Sequence, residues 1–205
     1  LKPNTFNRFI SVFFHPIFYP LIASLVFIFY IPRFIQERML GILLGIVFFG
    51  TILFPTVMLF VLKKTKLIET YYLNNIVERK FPLIIFTLLA LMLSRVFFKM
   101  EVSYDLAIFF IAGSMSFLIG YWFLWFHIKM SIHTLGLGGL IGFIIQLSMN
   151  YHLNFLFLIA ILFVLFGLVA KARYELGAHN FKEIFWGFII GIFPQLLIPL
   201  WYQNI

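Results

Sequence analysis

A polytopic bundle of transmembrane α-helices is the fold class this sequence predicts, and three observations predict it. Of its 205 residues, 63% are hydrophobic and only 11% are charged. Mean hydropathy is +1.08, whereas a water-soluble domain of this length needs far more polar surface to cover its core. The apolar residues also run in stretches near the ~20 that a helix needs to cross a bilayer, not in the alternating segments of an outer-membrane barrel. Six to seven such stretches fill the chain, so residues 1–205 are expected to form one integral-membrane domain. With no cysteine, disulfides and thiolate chemistry are excluded. The net charge of +8 is assigned to anionic lipid headgroups rather than to nucleic acid.

The first apolar run, Phe9–Pro32, has no formal charge but is broken by His15-Pro16 and Pro20. It predicts an interfacial start followed by a crossing near Ile17–Ile31. Met39–Leu62 is the second span. Lys63–Lys80 is the longest polar loop. Phe81–Phe98 is the third span, with Arg95 snorkelling near its end, and Leu106–Phe126 is the fourth. Residues 130–170 then run without a formal charge, too long for one crossing. Asn150-Tyr151-His152-Leu153-Asn154 divides them into a fifth span, His133–Met149, and a sixth, Phe155–Ala170. Ile184–Trp201 is the seventh. The glycines between Gly136 and Gly142, and the pair Gly187 and Gly191, fit close helix packing. Trp122, Trp125, Trp186 and Trp201 fit aromatic belts. His127 and His152 are read as interfacial, and His15 as structural.

Parity brings the polar connectors together. The third and fourth spans cross and return, as do the fifth and sixth. The Lys63–Lys80 loop, the Lys129–His133 segment and the Arg173–Glu183 connector therefore share one face, side A.

On that face Arg173-x5-His179-x3-Glu183 carries the chemistry. His179 and Glu183 are four apart and share a helix face if the last helix begins near them. A carboxylate that accepts a proton from one imidazole nitrogen leaves a lone pair on the other. Such an imidazole can attack phosphorus, while the planar fork of Arg173 clamps phosphoryl oxygens. A helix N-terminus favours the anion further. In Ser131-Ile132-His133-Thr134, His133 suits a general acid and Ser131 a hydrogen-bond donor to phosphate. The competing readings are a loop touching headgroups in the first case and a helix N-cap serine in the second. Two histidines and one acid suit zinc as well, but the neighbouring arginine opposes a second cation, so neither metal nor cofactor is expected.

These residues resemble the type 2 phosphatidic acid phosphatase superfamily of membrane lipid phosphatases. Its third motif, Ser-Arg, five residues, His, three residues, Asp, is matched by Arg173, His179 and Glu183, with Gly187 and Gly191 following. Its second motif, Pro-Ser-Gly-His, is matched by Ser131, His133 and Thr134. The likeness covers about residues 105–200. Ala172 stands for the family serine, Met130 for the proline and Ile132 for the glycine. The first motif, Lys, six residues, Arg-Pro, is incomplete: Lys129 stands near its lysine, and Arg79 is the expected substitute cation.

The resemblance implies a phosphatase-like core and a phosphorylated lipid as substrate. His179 would form a phosphohistidine, with Glu183 orienting it and His133 protonating the departing oxygen. Arg173, Arg79 and Lys129 would neutralise the phosphoryl charge. A catalytically weak relative that binds or transfers phosphorylated lipid is the alternative. A lipid transporter is a third reading, against which stand the lack of an internal repeat and the interfacial position of the charges. A bacterial inner membrane is the expected location. Side A carries 11 of the 15 Lys and Arg, which makes it cytoplasmic by the positive-inside rule, whereas the resemblance implies an extracytoplasmic site.

Overall fold

The computed structural model describes residues 5–31, 35–71, 73, 75–100 and 104–202, with the side chains of 200–202 outside the description. Lys2 and Arg33 of the charge tally, and the side chain of Trp201, lie outside the described residues. The protein is an all-α bundle with no strand among those residues. Seven helical segments are long and apolar enough to cross a membrane, and the chain is a multi-pass membrane protein. Its helices are α1 (Thr5–Phe13), α2 (Tyr19–Tyr30), α3 (Glu37–Phe48), α4 (Phe54–Lys64), α5 (Ile76–Lys99), α6 (Tyr104–Phe123), α7 (Ile132–Tyr151), α8 (Leu156–Glu175) and α9 (Phe181–Tyr202). The predicted spans fall within or across these helices, and their ends differ by a few residues.

The first segment divides where its prolines predict. A short 3-10 turn, Pro16–Phe18, separates α1 from α2. Phe6, Phe9, Val12 and Phe13 of α1 are exposed, while Asn7 and Ser11 are buried. This helix thus turns its apolar stripe outward and its polar stripe inward, toward α8. The second span continues from α3 into α4 through a π-helical turn, Phe49–Leu53. Pro55 explains it: proline has no N–H and its ring crowds the carbonyl four residues back, and a wider turn relieves both. Thr51 meanwhile donates its hydroxyl proton to the Val47 carbonyl at 2.8 Å.

The most buried span is α7, and its closest partner is α9. Glycine makes this possible. A Cβ on Gly191 would lie 2.0 Å from the Leu135 carbonyl oxygen, and one on Gly138 would lie 2.5 Å from the Phe188 carbonyl oxygen. Backbone cannot retreat as a flexible side chain can, so only glycine lets these helices meet. Gly191→Ala is expected to cost about 3 kcal/mol, the upper end of ordinary overpacking penalties. A lowered thermal midpoint in detergent checks this; an unchanged midpoint contradicts the close approach.

Large apolar side chains cover much of the outer surface of the spans, with Phe29, Phe157 and Val164 among the most exposed. Trp122, Trp125 and Trp186 are exposed as well. His127 and His152 are exposed and end their helical turns in the left-handed conformation, at φ 57° and 52°.

Candidate active site

The end of α8 and the start of α9 set the spacing of the strongest motif. Gly177, at φ 64°, takes the left-handed position that closes a helix and that side chains adopt only under strain. The chain then doubles back, so that the Arg173 carbonyl accepts from the backbone N–H groups of Ala178 and His179 at 3.2 and 3.4 Å. Five residues between Arg173 and His179 are therefore one helix-terminating turn.

Helix α9 opens with a reciprocal cap. The Asn180 side-chain oxygen accepts from the Glu183 N–H at 2.9 Å, and Glu183 Oε2 accepts from the Asn180 N–H at 3.1 Å, the arrangement of a capping box. The same Oε2 lies 3.0 Å from His179 Nδ1. A carboxylate accepts, so Nδ1 carries the proton and Nε2 keeps its lone pair. His179 and Glu183 are each 6% exposed. Burial, and after it the positive charges of Arg79, Arg173 and Lys129 and the neighbouring His133, hold the His179 imidazole well below its ordinary pKa. It is a neutral base at physiological pH.

This shift carries a stability consequence. Unfolded histidine titrates near 6.5. Below that pH the unfolded chain binds a proton that buried His179 refuses. Its contribution is fully present above about pH 6.5 and is lost as pH falls, at up to about 1.4 kcal/mol per unit. Between pH 7.5 and 5.5 the thermal midpoint of the wild type should fall further than that of His179→Gln. Equal falls contradict the assignment.

The start of α7 is fastened to the start of α9. The Ser131 N–H donates to the Glu183 carbonyl at 3.1 Å, and Thr134 Oγ1 lies 3.0 Å from the Ile184 carbonyl. Gly187 sits beneath this junction, where a Cβ would lie 2.5 Å from Thr134 Oγ1. His133 is thereby held on the same face as His179. Its Nε2 lies 3.0 Å from the Ser11 carbonyl oxygen, which only accepts, so Nε2 carries a proton. The His15 ring meets His133 edge-on at 5.2 Å.

Arg173 and Arg79 are buried, at 8% and 5% exposure. Arg173 Nη1 donates to Ser11 Oγ at 2.7 Å. Arg79, in the first turn of α5, donates from Nε to the Leu73 carbonyl and from Nη1 to the Met130 carbonyl, both at 2.8 Å. A guanidinium has five donors, and these two bonds join the Lys63–Lys80 loop to the start of α7.

Arg79, His133, Arg173, His179, Ser11 and His15 line one end of a single cavity of about 430 Å³. The remaining motif residues take other places. Ser131 is wholly buried and caps α7, its Oγ accepting from the Thr134 N–H at 3.5 Å, so the N-cap reading describes it. Lys129 lines an adjoining surface depression with Lys66, Glu69 and Glu78 and reaches His179 through its charge.

Sequence reasoning missed Ser11. Its signal was a single hydroxyl within the apolar run Phe9–Phe14, one helical turn from Asn7 on the same face; Asn7 donates to Glu175 Oε2 at 2.5 Å. His15, read as structural, stands at the cavity beside His133. Among the described residues no group of three metal-ligating side chains occurs. Comparison with protein-family models, curated proteins and solved structures finds no match to this chain.

Proposed function

We propose that the protein is a metal-independent lipid phosphatase that works through a phosphohistidine, on a phosphomonoester or diphosphate of a membrane lipid. One observation carries this reading. A buried imidazole, made neutral by burial and given its tautomer by Glu183, shares a cavity end with two buried arginines and a second imidazole. That is a nucleophile, an orienter, an anion clamp and an acid in one water-poor place.

The step sequence balances. His179 Nε2 forms a bond to phosphorus as the bond from phosphorus to the lipid oxygen breaks. That oxygen takes the Nε2 proton of His133, which picks up a second proton at Nδ1 as the anionic substrate binds beside it and returns to neutral imidazole. Water then attacks phosphorus and gives a proton to His133, the bond between phosphorus and nitrogen breaks, and His179 regains its lone pair. Arg173 and Arg79 stabilise the phosphoryl oxygens in both steps.

Binding without turnover is the second reading. The Ser11 carbonyl occupies His133 Nε2, and Ile132 stands beside His133 in place of a small residue. Either a phosphorylated substrate displaces Ser11 or His133 does not act. Phosphate release from a panel of phosphorylated lipids in detergent separates the two readings. Release that persists with excess chelator supports the hydrolase, and binding with no release supports the second reading.

A further inference from the structure

The cavity does not stop at its polar end. Along α6 it is lined by Phe109, Phe110, Gly113, Ser116 and Phe117, whose spacing is one helix face. Along α5 it runs from Arg79 through Phe86 and Ala90 to Leu93, a rise of about 21 Å at about 1.5 Å per residue. Gln195 of α9 lines it too. Against a hydrocarbon core about 30 Å thick, the cavity reaches some two-thirds of the way across.

Apart from Gln195 Oε1, which is buried without a partner, the wall beyond the polar end is apolar in effect. Ser116 donates to the Ala112 and Ile190 carbonyls at 3.0 and 2.8 Å, and Thr51 to Val47 at 2.8 Å. Gln195 gives its amide proton to the Phe109 carbonyl at 3.0 Å. Hydroxyl and amide protons here are directed at backbone, not at an occupant. Its volume of about 430 Å³ extends over that depth, so the cavity has room for an apolar chain along its length.

We propose that this cavity takes an apolar chain of a phosphorylated amphiphile, with the phosphate at His179 and the tail running past Phe109 toward Gln195. The substrate class is thereby a lipid phosphate whose tail is drawn out of the bilayer into the protein, rather than one whose tail stays among the surrounding lipids. The inference rests on the phosphatase reading for its head end; its tail end is tested apart from turnover.

A non-hydrolysable hexadecyl phosphonate with a diazirine at its far end is photolysed with the purified full-length protein in detergent, and the adducts are mapped. Adducts at Leu93, Phe109, Phe110, Phe117 or Gln195, which line the cavity, are expected. Adducts confined to lipid-facing residues such as Phe157 and Val164 overturn the channel. The second arm is Gly113→Phe. Gly113 lines the cavity and a Cβ there meets nothing within 4 Å, so a larger side chain at this position adds bulk at the cavity wall. The ratio of hexadecyl phosphate to butyl phosphate turnover should fall at least about tenfold, the low end of an overpacking penalty. An unchanged ratio overturns the proposal. Comparing monoacyl with farnesyl phosphate tells the two tail chemistries apart. If wild type releases phosphate from no substrate, the phosphatase reading falls while the cross-linking result still decides the channel.

Discussion

His179→Ala is expected to lower phosphate release by at least about 10³-fold, because it removes the proposed nucleophile. The loss appears in kcat and kcat/KM together, since the bond it makes exists only on the way to the transition state. The backbone of the turn is untouched, as the His179 N–H donates to Arg173 whatever the side chain. Glu183→Gln is the companion. Glutamine preserves the capping box with Asn180 but withdraws the charge from Nδ1, and a loss of about 10- to 100-fold is expected from such a supporting group. Folded His179→Ala protein with wild-type turnover contradicts the nucleophile assignment.

Arg79→Gln lowers kcat by about 10²- to 10³-fold, the usual loss when one donor to a developing oxyanion is removed. Glutamine is the informative replacement because its amide can still donate to the Leu73 or Met130 carbonyl, which a purely structural Arg79 requires. If Arg79 only fastens the loop to α7, Arg79→Gln keeps its turnover and loses thermal stability instead. Loss of turnover with a retained thermal midpoint identifies the charge as the working feature. Arg79→Lys should not restore activity, since an ammonium lacks the planar fork that reaches two carbonyls and a phosphoryl oxygen at once.

The fold was legible because a bilayer leaves the chain few choices. Backbone groups in hydrocarbon must be satisfied within the helix, so apolar length alone places seven spans. Parity then set Arg79, His133 and Arg173 on one face without any knowledge of packing. The Gly187 and Gly191 pair was readable as close contact for the same reason, and α9 does lie against α7 through it. One part of the site stood between two readings and another was not legible. Ser131 carries a hydroxyl at a motif position, yet a serine ahead of a helix has a competing partner in its own backbone, and the Thr134 N–H takes it. Ser11 shares a helix face with Asn7, but α1 inverts the usual pattern and turns that polar face inward to meet Glu175 and Arg173. That pairing needs the N-terminal helix to lie against the end of α8, a contact between residues more than 160 positions apart. Composition cannot encode such a contact.

Trapping the covalent intermediate tests the central claim most directly. Wild-type protein is mixed with a radiolabelled lipid phosphate at saturation, quenched rapidly in alkali and digested for peptide mapping. The account predicts an acid-labile, alkali-stable phosphoryl group on His179, absent from His179→Ala. Turnover by the wild type with the label on a different residue, or on none, contradicts it.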